Sequence, residues 1–355
     1  MKGVILHGGS GTRLRPLTYT DVKQLLPLAG KPVSEYTLLN LIELGISEIC
    51  IILGEIGAHE VQEYYGNGSK WNVSITYIFQ GKPLGIAHAI NLVKDFVNSE
   101  PFVVILGDNY FHNGLASMKN AFLDEGYEAY LGLTEVSQPS QFGIAEVAND
   151  KIISIVEKPK NPKSNLAVTG VYFLRPSIFE VISTLKPSWR NELEITEALQ
   201  LMLDKKYKLG YTVIDGWWKD TGTVSEFLDC NRMVLDKINR SISKTYEINK
   251  ISGRANIHPS VAIKGNTRIL GPCYIGRDAI IEDSYIGPYT SIGSNCQLKN
   301  IETEDSVIMD NCEIIGKGDL RISRSLIGAN VKIRPSGSRT GDICLILGRD
   351  SRLEL

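Results

Sequence analysis

The chain has 355 residues, enough for two or three domains with ample core. Its 38 Lys+Arg against 40 Asp+Glu leave a net charge of −2, so nothing in the composition marks a nucleic-acid partner and none is expected. No apolar segment ahead of a small-residue cleavage site and no run of about 18 apolar residues occurs, so a cytoplasmic protein with no membrane partner is expected. The six cysteines (Cys50, Cys230, Cys273, Cys296, Cys312, Cys344) are scattered without a C-x-x-C pair and read as reduced, mostly buried side chains.

A short apolar run over 3–6 (Val4, Ile5, Leu6) ends in Gly8, Gly9 and Gly11, followed by Thr12, Arg13, Arg15 and, further on, Lys23. Small residues let backbone N–H groups approach a polyanion, and the cations neutralise it, so this is the layout of a phosphate cradle at a strand end. Neither standard template fits. Gly11 is followed by Thr12-Arg13 rather than Lys-Ser/Thr, and Leu14 stands where a dinucleotide fingerprint needs its third glycine.

Apolar positions at helical spacing (Val33, Tyr36, Leu39, Ile42) predict a helix over 33–44, closed by Gly45. Strand 48–53, helix 57–65, strand 73–79, helix 86–97 and strand 102–106 follow. Continuous apolar strands alternating with amphipathic helices indicate a parallel sheet covered on both faces, and ligands bind such sheets at the carboxyl ends of the strands. Residues 128–175 are richer in β pattern, with strands near 129–136, 143–147, 152–157 and 167–174. Strand 211–214 and helices at 195–206 and 223–239 close this part.

From Ile257 onward, branched aliphatics recur every six residues: Ile257, Ile263, Ile269, Ile275 and Ile281, then, after one shortened step, Ile286, Ile292 and Leu298. Less regular turns continue through Val307, Ile314 and Val331. Such a period sends one aliphatic side chain inward from each of three short faces per coil, which predicts a parallel β-helix. Residues 240–252 are the expected connector, so the domains are read as 1–240 and 241–355.

Several stretches fall at the predicted crevice. Lys23-Gln24 adds a cation and an amide; Gln80, Pro83 and Gly85 follow the third strand, and a glutamine amide suits a pyrimidine edge. Asp108 and Asp220 each follow an apolar strand. Two carboxylates beside phosphates are what Mg²⁺ takes, with the remaining oxygens from phosphate and water. Glu157-Lys158 offers a carboxylate for sugar hydroxyls and an ammonium for a second phosphate. Phe142-Gly143 and Val168-Thr169-Gly170 place small backbone positions nearby.

The stretches LHGGSGTRLRPLT, KQLLP with Lys31-Pro32, Q-x-x-P-x-G-x-A at 80–87, LGDN, FG, EKP, TGVYF and W-x-DTG occur together and in order. In this the chain resembles the sugar-1-phosphate nucleotidyltransferases, and among them the long form that transfers thymidylate to glucose 1-phosphate. The resemblance covers the first 240 residues by motif and the remainder by its repeats. It implies an α/β fold, a Rossmann-like mixed sheet followed by a C-terminal left-handed parallel β-helix, in an Mg²⁺-dependent homo-oligomer using dTTP and glucose 1-phosphate.

The same resemblance implies roles. Arg13 grips the β- and γ-phosphates, Lys23 the nucleotide phosphates and Lys158 the sugar phosphate. Asp108 and Asp220 hold the metal on the α-phosphate. Gln24, Gln80 and the backbone near Gly8 and Gly85 read thymine, with Leu6, Gly9, Gly11, Thr12 and Pro83 completing the nucleotide site. Asn109, Gly143, Glu157, Val168 and Gly170 bind the sugar. The chain departs from the family at His7-Gly8, where alanines are usual. UTP or another sugar, a nucleotide-sugar sensor, and an acyltransferase in the repeats remain open as alternatives. The last would need a histidine base, and only His258 lies among the repeats; assembly is therefore the expected use of the β-helix.

Overall fold

The computed structural model describes all residues except 10, 113, 215–217, 243–249, 335–340 and 355, together with the side chains of 319 and 341. Trp217 and most of the expected connector lie outside the described residues. By compactness the chain divides into Met1–Gly9 with Ser34–Lys219, and Ser10–Val33 with Asp220–Leu355.

The first unit is built on β1 (Lys2–His7), β2 (Glu48–Gly54), β3 (Ser74–Gly81), β4 (Phe102–Leu106), β5 (Ala129–Glu135), β6 (Gly143–Ala148), β7 (Lys151–Glu157), β8 (Leu166–Leu174) and β9 (Leu209–Val213). They form one Rossmann-like α/β sheet in the order β7-β6-β8-β4-β1-β2-β3, with β5 pairing both β8 and β9. β1 lies between β2 and β4, parallel to both, and Val4 and Ile5 are fully buried there. Strands enclosed in this way, covered on both faces, carry the continuous apolar runs seen in the sequence. The sheet turns antiparallel where β8 meets β4, β5 and β6, so the parallel expectation holds for β1 to β4.

Helix α1 (Val33–Glu43) stops at Gly45, whose φ of 73° is open to glycine. The helix expected over 86–97 is two pieces, Ile86–Leu92 and Lys94–Val97. Fully buried Val93 breaks it by donating its N–H to Ile90 O, tightening the turn. Helices Ala116–Asp124 and Ser177–Ile182, unmarked in the sequence reading, also pack here.

In the second unit, helix Val224–Asp236 opens with a capping box. Thr223 Oγ1 accepts from the Glu226 N–H, and Glu226 Oε2 accepts from the Thr223 N–H at 2.9 Å. Beyond it, short parallel strands stack in three columns of inward side chains, aliphatic except for Thr303. One runs Ile257, Ile275, Ile292, Ile308, Ile327, Leu347. A second runs Ile263, Ile281, Leu298, Ile314, Ile333, Leu353. The third runs Ile251, Ile269, Ile286, Thr303, Ile322, Ile343. Ile263 is only partly buried, because its strand pairs on one side alone. Corners fall at Asn295, Asn311, Asn330 and Asp350, all at φ of 56–60°, where Asn and Asp are tolerated. Their side chains hydrogen-bond in a ladder, Asn295 to Asn311 to Asn330 to Asp350. Among the described residues, no helix is long and apolar enough to cross a membrane.

Candidate functional site

At the carboxyl ends of β1, β3 and β4 the first unit opens a cleft of about 280 Å³. Leu6, Gly8, Gly9, Gln80, Pro83, Gly85 and Asp108 line it, so six of the residues expected to hold the nucleotide meet in one cleft with an expected metal ligand. Gly85 is required twice over: its φ is +102°, and a Cβ there would sit 2.4 Å from Leu193 O. The same carbonyl accepts the Ala87 N–H at 3.0 Å, and the Leu193 N–H binds Leu84 O at 2.8 Å. One of the helix-start donors expected to face a ligand is thereby taken up by the chain itself. Gln80 Nε2 donates to Gly85 O at 3.3 Å and lies 3.2 Å from His88 Nδ1, which fixes how the amide is presented.

Arg190 and Glu192, ion-paired at 3.1 Å, also line the cleft. Sequence reasoning missed them, because they sit in a stretch with neither periodicity nor motif. His7 lies at the end of β1, 3 % exposed, its ring edge-on to Tyr65 at 5.9 Å. Burial drives its pKa down to about 3 against a weaker upward pull from Asp108, so the imidazole is neutral.

Two further groupings of the first unit collect the residues expected to bind sugar. Asn109, 2 % exposed, donates to Asp108 Oδ1 at 2.8 Å and accepts from Trp218 Nε1 at 2.5 Å. A Cβ on Gly170 would stand 2.6 Å from Asn109 Oδ1, so glycine makes room for this amide. Glu157 accepts from Thr196 Oγ1 at 3.0 Å and pairs with Arg190 at 3.4 Å and Lys158 at 3.7 Å. Desolvation, with Glu194 close by, holds its carboxyl above the usual range despite those cations. Gly143 packs against this group; a Cβ there would come within 2.4 Å of Thr196 Cγ2. Lys158 sits at φ 40°, and Val168 is buried.

The second unit gathers the cations. Asp220 accepts from Lys23 Nζ at 3.3 Å and lies 3.7 Å from Arg13 Nη2. Lys23 is buried, whereas Arg13 is 57 % exposed. Gly11, at φ +58°, would press a Cβ to 2.8 Å from Thr18 Cγ2, and its carbonyl accepts from Thr18 Oγ1 at 2.7 Å. Thr12 opens the single turn Thr12–Leu14. Gly222, not singled out in the sequence, lets the Arg13 guanidinium lie against its backbone, since a Cβ would be 2.6 Å from Nη2. Gln24 is 1 % exposed. Among the described residues no group of three or more His, Cys, Asp or Glu side chains is arranged to hold a metal ion. His258, exposed at the first corner of the repeats, bonds Ser260 through Nδ1 at 2.8 Å.

A model of the nucleotidyl transferase family matches residues 2–237. A glucose-1-phosphate thymidylyltransferase of Streptomyces antibioticus is 41 % identical over all of this chain and 99 % of its own length. The low-salt glycan biosynthesis nucleotidyltransferase Agl11 of Haloferax volcanii is 42 % identical over the full length of both. Among solved structures, a Bacillus anthracis protein assigned as a glucose-1-phosphate thymidylyltransferase, crystallised with sucrose, superposes with a TM-score of 0.63. It is 40 % identical, over 68 % of this chain and 98 % of its own.

Proposed function

Since the chain belongs to the nucleotidyl transferase family, we propose that it joins dTTP and glucose 1-phosphate into dTDP-glucose and pyrophosphate. The observation that carries this reading is the cleft of the first unit, where Gly8, Gly9, Gln80, Gly85 and Asp108 converge at three strand ends. Full-length likeness to the Streptomyces enzyme supports the choice of substrates.

In the proposed reaction an oxygen of the sugar phosphate attacks the α-phosphorus in line. The bond from that phosphorus to the bridging oxygen breaks, and pyrophosphate departs with the electron pair. Little covalent work falls to the protein, so positioning and charge neutralisation carry the rate. Arg13 takes the β- and γ-phosphates as a fork, Lys23 the nucleotide phosphates and Lys158 the sugar phosphate. Gln80 and Gln24, with backbone near Gly8 and Gly85, read the base. Asn109, Gly143, Glu157, Val168 and Gly170 read the sugar.

Nucleotidyltransferases of this family use a divalent metal, and Asp108 and Asp220 are the proposed ligands of Mg²⁺. Their donor chemistry fits: hard carboxylate oxygens, few in number, suit an ion that completes its shell from phosphate and water. When bound, Mg²⁺ withdraws charge from the phosphates. Asp220 keeps Lys23 and Arg13 beside each other in either case.

The three columns support a β-helix, left-handed as the family resemblance implies, and its flat sides suit a homo-oligomer. A cytoplasmic location fits nucleotide and sugar-phosphate substrates. Pyrophosphate release over a matrix of four nucleotides and several sugar 1-phosphates tests the reading. dTTP with glucose 1-phosphate is expected to lead, and UTP to trail by about 10–200-fold at most, since a single methyl discriminates little. A preference for ATP or GTP would overturn it.

A further inference from the structure

The segment that carries Arg13 and Lys23 has little regular structure of its own. It holds three single-turn helices and a two-residue hairpin, Pro27–Leu28 with Lys31–Pro32. Several of its partners come from far along the chain, within the second unit. At the hairpin, the Ala29 N–H donates to Asn231 Oδ1 at 3.2 Å, and Ser291 Oγ of the repeats donates to the same oxygen at 2.7 Å. Gly30, at φ +83°, lies flat against Tyr274, where a Cβ would come within 2.2 Å of Cζ.

At its other end the segment meets the last coil. Gly348 approaches Pro16 so closely that a Cβ would be 3.1 Å from its carbonyl oxygen. Arg349 forks onto the carboxylate of Asp21: Nε donates to Oδ1 at 3.0 Å, and Nη2 donates to the same oxygen. The Asp21 side chain is only 9 % exposed, so its charge is compensated largely from within the protein, and Arg349 stays 43 % exposed. Asp21 Oδ2 also accepts from Thr20 Oγ1 at 3.1 Å, but without Arg349 the largely enclosed charge is left uncompensated, which destabilises the local arrangement. The segment is therefore held by the repeats at Pro16 to Asp21 and again at Gly30, with Lys23 between these holds and Arg13 three residues ahead of the first.

We propose that the last coil of the repeat region positions the phosphate-binding segment, with Arg349 as the positioning residue acting through Asp21. The inference rests on the phosphate-binding role proposed above for Arg13 and Lys23. It gives the repeats a part in catalysis that assembly alone does not, and it needs no active group on the β-helix. Loosening the segment lowers the fraction of molecules ready to bind nucleotide, and apparent affinity falls by that fraction. Groups in the first unit that bind sugar are untouched.

The test compares the full-length wild type with Arg349→Ala, Arg349→Lys, the charge exchange Asp21→Arg with Arg349→Asp, and Arg352→Ala. Arg352 lies on the same coil, in an exposed pair with Glu354, and controls for damage to the coil. Each is assayed for KM of dTTP, KM of glucose 1-phosphate, kcat and the thermal midpoint. Arg349→Ala is expected to raise the dTTP KM by about tenfold, as for a segment competent about a tenth of the time. The sugar-phosphate KM should stay at its wild-type value. Lysine should recover part of the loss, the charge exchange more, and Arg352→Ala should have no effect. A wild-type dTTP KM in Arg349→Ala overturns the inference and leaves the reaction standing. So does a matched rise in both KM values, with a lower midpoint, shared by Arg352→Ala. Wild-type protein without dTTP-dependent pyrophosphate release overturns the proposed reaction, and the inference falls with it.

Discussion

The cleft of the first unit and the cationic segment of the second take their shape from different sources. β1 is enclosed by β2 and β4 through residues that are at most 6 % exposed from Val4 to Leu6. Gly8, Gly9 and Asp108 are thus delivered by a sheet whose hydrogen bonds are exchanged between neighbouring elements. Residues 11–33 instead borrow their order from Asp220, Asn231, Tyr274 and Arg349. Under the proposed reaction, substitutions in the first region should act at the site itself, whereas in the second those at Asp220, Asn231, Tyr274 and Arg349 should act through the segment they hold.

The largest expected effect breaks both regions at their carboxylates. Asp108→Asn and Asp220→Asn should each lower kcat by about two to four orders of magnitude, the loss of a metal ligand in phosphoryl transfer. Far-ultraviolet circular dichroism should stay unchanged in both. Asp220→Asn should in addition weaken nucleotide binding, since Lys23 and Arg13 lose their common partner. Wild-type kcat in either variant at limiting Mg²⁺ would remove the proposed metal site.

Next in size comes a contrast within the repeats that sharpens what the second region depends on. Ile281 is fully buried between Ile263 and Leu298, so Ile281→Ala should destabilise by about 2–5 kcal/mol. Ile263→Ala, at the end of the same column, should cost less than half as much. Chemical denaturation of both variants checks this, and equal losses would contradict the column packing.

Gly170→Ala probes the first region more gently. The added Cβ would meet Asn109 Oδ1 at 2.6 Å, and shifting a packed amide costs about 1–3 kcal/mol. The loss should appear as a higher KM for glucose 1-phosphate with the nucleotide KM unchanged. A rise confined to the nucleotide would reassign Asn109.

The smallest effect concerns pH. Burial lowers the His7 pKa to about 3 in the folded protein, whereas the unfolded chain takes up that proton near 6.5. Stability from this residue is therefore intact above about pH 6.5 and is lost as pH falls toward 3, by at most about 1.4 kcal/mol per unit. Between pH 6.5 and 5, His7→Leu should lose about 2 kcal/mol less than the wild type in urea unfolding. Parallel losses would show that His7 titrates normally.

Much of this was legible in the sequence for a physical reason. Strands β1 to β4 and the three aliphatic columns declare themselves through short-range periodicity, and Gly85, Gly143 and Gly170 stand where a Cβ would collide. The antiparallel half of the sheet was visible as strands, but its pairing through β8 was not, because alternation does not say which strand is the neighbour. Arg190 and Glu192 left no trace, since the Leu193 backbone clamp on Leu84 and Ala87 that anchors their loop is main-chain geometry. Asp21 and Arg349 are separated by 328 positions, and nothing local distinguishes either from an ordinary surface charge.

The identity of the product tests the proposed reaction most directly. Phosphorus nuclear magnetic resonance of the wild type with dTTP, glucose 1-phosphate and Mg²⁺ should show the nucleoside triphosphate signals replaced by those of a sugar nucleoside diphosphate and free pyrophosphate. Persistence of dTTP and glucose 1-phosphate, or conversion of dTTP to dTDP and inorganic phosphate alone, would contradict it.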